Sequence, residues 1–516
     1  MIRTIRRLLS CGVLFGALQC LALSQQLQTN VVDGTVLRSL TNEPLSGVSV
    51  QLQHVDRSEA YEVQTGNDGR FQFRKVPAGT YTLSAVRSGY VRADYGRRRF
   101  SDPQLPLEVG PNRTITNIEL HMIPSASISG RVSDADGVPV AAAIVRGWQE
   151  TFAFGHRAMR LVATVSTDDL GNYRLFSLTP GKYYVSAVTR DKTIMTPLFY
   201  PDTTDVQAAG LVTLYAGSVA AEINITYHSQ AAHTIRGMVS STFGDAQVQL
   251  TPRIPIVNEG ALTVLVDSRT GNFEMPQVSP GSYVLTAMSD KVSTQTSIEI
   301  GRSAVEDIRV AIPSPIEIRA RVSLDATAVT SGTAVGDVLF GFRWDSDVPN
   351  LPDAAYGGAG TIRLAPGDYW IRAAQHPESV YVQSVRLGNI DVLNDGLHLD
   401  SSVEAPLEIV VAADMGTLDG VVGNALQHPE PNVVVALVPA REQRRRIDLY
   451  QSVRSDQEGH FHFEYVPPGD YSVFSWEDVE PTAWMNSNFM RDYEGLGKPV
   501  HIDAGSRQTI QVEAIP

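Results

Sequence analysis

The chain has 516 residues, of which 43% are hydrophobic and 19% are charged, and its formal net charge is −14 at pH 7. Because a single hydrophobic core stops growing at ~250–300 residues, this length predicts several domains. The composition excludes a coiled coil, a collagen and a polytopic membrane protein, and the acidic charge argues against a protein that binds nucleic acid.

Residues 1–24 have the pattern of a signal peptide. An apolar run follows a positive region of three arginines, Arg3, Arg6 and Arg7. Ala22-Leu23-Ser24 offers small residues for cleavage before Gln25. The run is shorter than the ~20 residues of a spanning helix. We therefore expect a secreted, periplasmic or cell-surface protein with no membrane span after signal removal.

The two cysteines of the chain, Cys11 and Cys20, both lie in this segment. Signal removal would leave no cysteine for a disulfide or a thiol nucleophile, and the loss of three arginines would take the net charge from −14 to −17. Each cysteine also ends a short stretch similar to a lipoprotein box, so lipidation is an alternative to plain secretion.

The rest of the chain repeats with a period near 100 residues. A Pro-Gly-x-Tyr motif recurs at Pro180–Tyr183, Pro280–Tyr283, Pro366–Tyr369 and Pro468–Tyr471, with a variant at Pro77–Tyr81. Ten residues before four of its glycines stands another glycine, followed by an aromatic residue two positions on: Gly69, Gly171, Gly271 and Gly459. A Gly-x-Val begins four of the units, at Gly34, Gly130, Gly237 and Gly420.

One repeat unit has the pattern of short strands separated by turns. Val48–Leu52, Phe71–Phe73 and Tyr81–Ala85 have apolar residues at every second position, the period of half-buried strands. Asn67-Asp68-Gly69 is a turn signal, and Pro77-Ala78-Gly79 interrupts the ladder. Such spacing favours a β-sandwich of about seven strands in each unit.

The motifs of the first unit resemble the carboxypeptidase regulatory-like family. These are Gly-x-Val, then Pro44–Val50, then Asp68–Phe73, then Pro-x-Gly-x-Tyr. That family is similar to Cna B-type modules and transthyretin-like sandwiches. The resemblance implies a Greek-key, prealbumin-like β-sandwich of secreted or envelope proteins, often treated as a carbohydrate-binding-like fold. In carboxypeptidases the domain accompanies the zinc catalytic domain and hydrolyses nothing itself.

We therefore predict an all-β protein, a tandem array of five such sandwiches. The predicted boundaries are 1–24 for the signal peptide, then 30–124, 126–230, 232–313, 314–413 for a divergent fourth sandwich, and 415–516.

No catalytic residue, cofactor or metal site is predicted. None of the 11 histidines opens a His-Glu-x-x-His, and no Gly-x-Ser-x-Gly is present. His460-x-His462 places two imidazoles on one strand face, but we interpret that face as solvated. Asp134-Ala135-Asp136-Gly137 resembles the start of a calcium loop, and Val145 stands where the closing glutamate should be, so a plain turn is predicted.

Exposed aromatic rings are the candidates for ligand binding. The fifth unit has four within a short stretch, namely Trp476, Trp484, Phe489 and Tyr493. By alternation from Tyr471, both Phe474 and Trp476 face away from the main core. Sugar rings stack on such faces. The alternative is that the loop at 477–497 folds back and covers them. An aromatic stretch at 148–154 has the same ambiguity.

Two arginine triplets, at 97–99 and 444–446, are interpreted as solvated loops. The leading functional hypothesis is a secreted, non-catalytic binding or adhesion protein of the cell envelope, with carbohydrate as the ligand that the resemblance implies. The alternative is a structural spacer or protein-interaction stalk without a small-molecule ligand. The expected partners of the protein are polysaccharide or envelope proteins and not nucleic acid. Exposed Trp476 and Trp484 would favour sugar, whereas buried ones would favour the stalk.

Overall fold

The computed structural model describes residues 30–516 except for a set of short gaps. These gaps are 98–103, 112, 189–196, 228–232, 241–244, 254–260, 279, 290–291, 302–304, 347, 349–350 and 352. The predicted signal peptide lies outside the described residues.

The strands fall into five consecutive groups, here named modules 1 to 5. Module 1 contains β1 Asn30–Arg38, β2 Ser49–His54, β3 Ala60–Gln64, β4 Arg70–Val76, β5 Gly79–Val86, β6 Ala93–Asp94, β7 Leu107–Val109 and β8 Thr114–Met122. Module 2 contains β9 Ala126–Asp134, β10 Ile144–Ala153, β11 His156–Ser166, β12 Asn172–Leu178, β13 Gly181–Val188, β14 Leu198–Phe199, β15 Val212–Leu214, β16 Val219–Ala220 and β17 Ile225–Tyr227.

Modules 3 to 5 follow the same plan. Module 3 contains β18 His233–Ser240, β19 Ala246–Pro252, β20 Leu262–Leu265, β21 Asn272–Val278, β22 Gly281–Ser289, β23 Val292–Ile300 and β24 Val305–Ala311. Module 4 contains β25 Ile316–Leu324, β26 Leu339–Trp344, β27 Ala355–Gly357, β28 Gly360–Leu364, β29 Gly367–Gln375, β30 Tyr381–Leu387, β31 Ile390–Asp391, β32 Leu397–Leu399 and β33 Leu407–Ala412. Module 5 contains β34 Gly416–Gly423, β35 Val434–Pro439, β36 Gln451–Arg454, β37 His460–Val466, β38 Gly469–Trp476, β39 Lys498–Ile502 and β40 Arg507–Glu513.

Among the described residues, helical structure is confined to single turns. The α-helices are α1 Ala326–Thr330 and α2 Ser487–Met490, and the 3₁₀ turns are Val206–Ala208, Val335–Asp337, Arg441–Gln443, Ile447–Leu449 and Ala483–Met485. Within the described part of the chain, none of these helices has the length and apolar character needed to cross a membrane.

Each module is a pair of sheets, as the alternating pattern predicts. In module 1 the sheets have the orders β4-β1-β8 and β3-β2-β5-β6, with β7 on β5. The first strand of every module pairs in parallel with strands from the end of the same module, for example β1 with β8 and β34 with β40. The prediction of an all-β tandem array of β-sandwiches is confirmed.

Each module also has its own hydrophobic core. In module 1, Val36, Val50, Phe73 and Leu83 are at most 3% exposed, and they pack in one cluster between the two sheets. Burial of one such side chain stabilises the fold by ~1.5–3 kcal/mol. Separate clusters of this kind fill modules 2 to 5.

The recurring Gly-x-Val glycine is required by a close backbone approach. A Cβ on Gly34 would lie 2.1 Å from the carbonyl oxygen of Ile118 on the parallel strand β8 and 2.8 Å from the ring of Phe71. Phe71 is the aromatic residue of the turn motif, so two of the repeated motifs meet in one contact. The same approach to a carbonyl oxygen recurs at Gly130, Gly237 and Gly420.

The tyrosine of Pro-Gly-x-Tyr closes the turn that precedes it. The Tyr471 hydroxyl donates to the carbonyl oxygen of Pro467 at 2.9 Å, and Tyr369 donates to that of Ala365 at 2.7 Å. Burial raises the pKa of both phenols well above their ordinary value. Each hydroxyl hydrogen bond ties the start of the strand to the turn before it.

Candidate functional site: the aromatic cluster of module 5

Strand β38 carries two apolar faces. Tyr471 and Val473 point into the main core of module 5, whereas Phe474 and Trp476 point to the other side of the sheet. The predicted orientation of Phe474 and Trp476 is therefore confirmed. A sheet with two apolar faces must bury both, so the second face needs its own cover.

The loop at 477–497 provides that cover. Trp484 and Met490 of this loop pack in the same cluster as Trp476, and Phe489 and Tyr493 lie partly buried beside them. Gly497 lies so close to Phe474 that an added Cβ would meet its ring at 2.3 Å. The structure thus brings all four predicted site residues into one group, which we name the module-5 aromatic cluster.

The rings are arranged as a packed cluster. Trp476 stacks on Phe474, with ring centroids 5.3 Å apart, and on Trp484, with centroids 6.2 Å apart. Tyr493 meets Trp476 edge-on at 5.7 Å. Trp476 is 1% exposed and Trp484 is 5% exposed. Of the two alternatives that the sequence leaves open, the structure therefore has the second for both tryptophans: the loop at 477–497 covers their indole faces.

The remaining exposure lies at the edge of the cluster. Phe489 and Tyr493 are half-buried, with ring centroids 4.9 Å apart, and the side chains of Asn488 and Arg491 beside them are exposed. Asn486 accepts hydrogen bonds from the backbone N–H groups of Asn488 and Phe489, and so caps α2 and fixes the position of Phe489.

The aromatic stretch of module 2 divides between two environments. Trp148 is fully buried and donates from its indole nitrogen to the Ser186 hydroxyl at 2.8 Å. Phe152, farther along the β10–β11 hairpin, packs against the module-5 aromatic cluster. The sequence pattern marked this stretch as aromatic but gave no sign of its partner, which lies more than 300 residues away in the chain.

The second arginine triplet is part of a joint between modules 4 and 5. Arg446 is 6% exposed and donates to Asp448 at 2.6 Å and to the carbonyl oxygen of Val382 at 3.4 Å. Arg444 forms a two-pronged ion pair with Glu494 and thereby holds the pKa of that carboxyl below its usual range. The interpretation of this triplet as a solvated loop is wrong for both residues. Of the first triplet, 98 and 99 lie outside the described residues.

The histidine pair of β37 is exposed, as predicted. His462 contacts Asp419 at 2.8 Å, and His460 lies 3.5 Å from Asp456. The hydrogen bond from His462 and the neighbouring Arg507 lower the pKa of Asp419. No group of three or more metal-ligating side chains occurs among the residues that the structure describes.

The calcium-like stretch of module 2 is a turn. The carboxylate of Asp134 accepts hydrogen bonds from the backbone N–H groups of Asp136 and Val138 at 3.0 and 2.8 Å. This carboxylate therefore closes a local turn, which agrees with the sequence interpretation.

Sequence reasoning gave no signal for a cleft between modules 3 and 4. It has a volume of about 540 Å³ and is lined mostly by apolar groups, among them the exposed Leu265 and Tyr356. On its module-4 side, Asp353 forms an ion pair with Arg372 at 2.5 Å. Because the cleft joins two modules, no motif within one repeat could have predicted it.

The sandwich of module 1, with its glycine–aromatic contact and its turn tyrosine, can be compared with known proteins. Residues 31–121 match the carboxypeptidase regulatory-like domain family. The predicted resemblance is confirmed for this regulatory-like module. No curated protein matches the chain.

Several solved structures also resemble the chain at low identity. A streptococcal ancillary pilin shares 12% identity, with a TM-score of 0.21 over 55% of this chain and 99% of its own. The minor pilin GBS52 of Streptococcus agalactiae shares 13%, with a TM-score of 0.21 over 39% and 97%. The Bacillus anthracis TIE protein shares 13%, with a TM-score of 0.17 over 55% of this chain and 50% of its own. At these scores the resemblance carries no argument about function.

Proposed function

We propose that the protein is a non-catalytic scaffold of the cell envelope, whose modules hold other envelope proteins in place. The observation that carries this proposal is the burial of Trp476 and Trp484. The module-5 aromatic cluster packs the second face of β38 and contacts Phe152 of module 2, as expected of a structural array, and it does not present open indole faces to a ligand.

Other features support the same proposal. Each of the five modules has a hydrophobic core of its own, which is the organisation expected of an array of structural units. The apolar cleft between modules 3 and 4, with Leu265 and Tyr356 at its rim, offers a contact surface for a protein partner. The pattern of residues 1–24 supports export.

Carbohydrate binding is the second candidate function. It is favoured by the partial exposure of Phe489 and Tyr493 beside the polar Asn488 and Arg491. A sugar ring would stack on the outer edge of the aromatic cluster, and the amide and guanidinium groups would contact its hydroxyls. The proposed ligand-binding residues are then Phe489 and Tyr493, with Trp476 and Trp484 supporting them from below.

One pair of experiments distinguishes the two functions. A photo-crosslinking amino acid in place of Tyr356, which is 56% exposed, should capture a discrete envelope protein in the producing cells, whereas the same substitution at Tyr215, which is 73% exposed on module 2, should not. Equal labelling from both positions would contradict the scaffold.

Binding to purified cell-envelope polysaccharides tests the second function. The scaffold predicts no saturable binding by the full chain. Saturable binding that is lost in Tyr493→Ala but kept in Tyr215→Ala would instead establish the carbohydrate site. Saturable binding that survives Tyr493→Ala would contradict both the scaffold and this placement of the sugar.

A further inference from the structure

Two segments that are specific to their modules meet across more than 300 residues of sequence. The β10–β11 hairpin of module 2 has strands of 10 and 11 residues, whereas the corresponding β2 and β3 of module 1 have 6 and 5. The loop at 477–497 belongs to module 5 and contains α2. The tip of the long hairpin contacts this loop.

Three side-chain contacts define the meeting. The rings of Phe152 and Phe489 lie edge to face with centroids 6.1 Å apart. The Thr151 hydroxyl donates to the carboxylate of Glu480 at 2.9 Å. The amide of Asn486 donates to the carbonyl oxygen of Gly155 at 2.7 Å.

The hairpin tip also approaches the loop backbone closely. Gly155 has a φ of +78°, and a Cβ at this position would lie 2.8 Å from the backbone carbonyl carbon and oxygen of Met485. Backbone atoms do not move aside as a flexible side chain does. The close contact between the hairpin tip and the loop therefore requires a glycine at position 155.

An ion pair lies beside this apolar and backbone contact. Arg160 on β11 lies 3.8 Å from Glu480, and both side chains are about one quarter exposed, at 25% and 24%. Partly exposed pairs of this kind add little affinity but favour one orientation of the partner. The surface thus has an apolar centre and a polar rim, the usual anatomy of a protein interface.

From these contacts we infer that the loop at 477–497 is an interaction surface whose partner is the module-2 hairpin of the same chain. This clasp closes the array, so that modules 2 and 5 are held together and the protein is not a straight stalk. The contact is small, but both of its partners belong to one chain, so docking is intramolecular and needs no association of separate molecules. A small contact therefore holds the array closed and remains releasable.

The matched pair Gly155→Ala and Gly137→Ala tests the clasp. Both glycines have a φ of +78° in module 2, but an added Cβ on Gly137 meets nothing within 4 Å. Both variants carry the same backbone strain, and only Gly155→Ala prevents the contact. Phe152→Ala removes the ring contact without backbone strain and provides a second variant.

Small-angle scattering of the full chain in solution gives the readout. Modules of this size have radii of gyration of ~13 Å each, so a fully opened string should have a radius of gyration roughly 1.5-fold that of the closed array. We expect Gly155→Ala and Phe152→Ala to increase the radius of gyration toward that value, and Gly137→Ala to keep the wild-type value. Hydrogen exchange should rise in the Phe489–Tyr493 segment of the two opening variants.

Two outcomes would overturn the inference. An unchanged radius and unchanged exchange in both opening variants would mean that the clasp does not determine the shape. A wild-type protein that dimerises with concentration, and that Gly155→Ala converts to a monomer, would mean that the hairpin docks on a second copy of the chain. Intact β-sheet circular dichroism in each variant establishes that the modules remain folded.

Discussion

Two exposed histidines occupy equivalent positions in modules 4 and 5. Each faces the aspartate that follows the Pro-Gly pair: His398 lies 2.5 Å from Asp368, and His501 lies 2.6 Å from Asp470. The hydrogen bond that the His501 ring donates to Asp470, together with the nearby Asp503, raises the pKa of His501 above its ordinary 6.5. Asp368 acts in the same way on His398. The pairing follows from strand register, which the repeat motif does not encode.

The pairing of Asp470 with His501 in this register predicts how the pKa of His501 responds to loss of the carboxylate. In Asp470→Asn the pKa of His501 should fall toward 6.5, because the charged partner is lost, and NMR of the imidazole carbons would detect the shift. His398 in module 4 is the internal control and should keep its raised pKa. Since the pKa is raised in the folded state, the stabilisation by each pair is complete below about pH 6.5 and is lost as the pH rises through the folded pKa. An unchanged His501 titration in Asp470→Asn would contradict the pairing.

At the scale of elements, alternation in the sequence predicted strands at Val48–Leu52, Phe71–Phe73 and Tyr81–Ala85, and it predicted that Phe474 and Trp476 of β38 face away from the main core. Alternation is a property of neighbouring residues, so it reaches Phe474 and Trp476 directly. The loop at 477–497 has no such period, and its conformation depends on the apolar face beneath it. Burial of Trp476 and Trp484 was therefore one of two alternatives that the sequence left open, and the packing decided between them.

The sequence shows that Gly-x-Val recurs but gives no reason for it. The reason is the close backbone approach at the glycine of each motif. The absence of a Cβ at Gly34 leaves room for the Ile118 carbonyl oxygen of the paired strand β8 and for the ring of Phe71, so the glycine, the aromatic residue and the parallel strand form one unit.

Gly34→Ala should therefore destabilise module 1 by about 1–3 kcal/mol, the usual cost of overpacking a core. Hydrogen exchange of the β1 and β8 peptides in the full chain would measure the loss. Gly110→Ala is the control in the same module, because its Cβ would be 3.8 Å from the nearest atom. Equal protection in the two variants would mean that the close approach to Ile118 is not tight.

At the scale of the whole molecule, the sequence predicted five units in order but not how they contact one another. The contact of Arg446 with Val382 joins modules 4 and 5, and that of Phe152 with Phe489 joins modules 2 and 5. Both depend on the relative placement of whole modules. Neither Arg446 nor Phe152 lies in a repeated motif. The period and spacing of the motifs therefore carry no information about the partners of these two residues.

Arg446 provides a test of coupling between modules. Arg446→Gln should cost about 2 kcal/mol, because it breaks a largely buried ion pair with Asp448 and leaves the carboxylate without its partner. Calorimetric unfolding of the full chain should then show modules 4 and 5 melting more independently. Arg441→Gln, at a side chain that is 70% exposed, should leave the unfolding profile unchanged. Identical profiles for the two variants would contradict a joint at Arg446.

The parallel pairing of the first and last strands has a mechanical consequence. In module 1 the chain enters at the start of β1 and leaves at the end of β8, and because these strands run in the same direction, entry and exit lie at opposite ends of the sandwich. Tension applied to the two ends therefore loads the hydrogen bonds between β1 and β8 in shear, so they resist together and do not open one after another. β34 and β40 repeat this geometry in module 5. In an array built of such modules, a pulling force would extend the joints between modules before it could unravel any one of them.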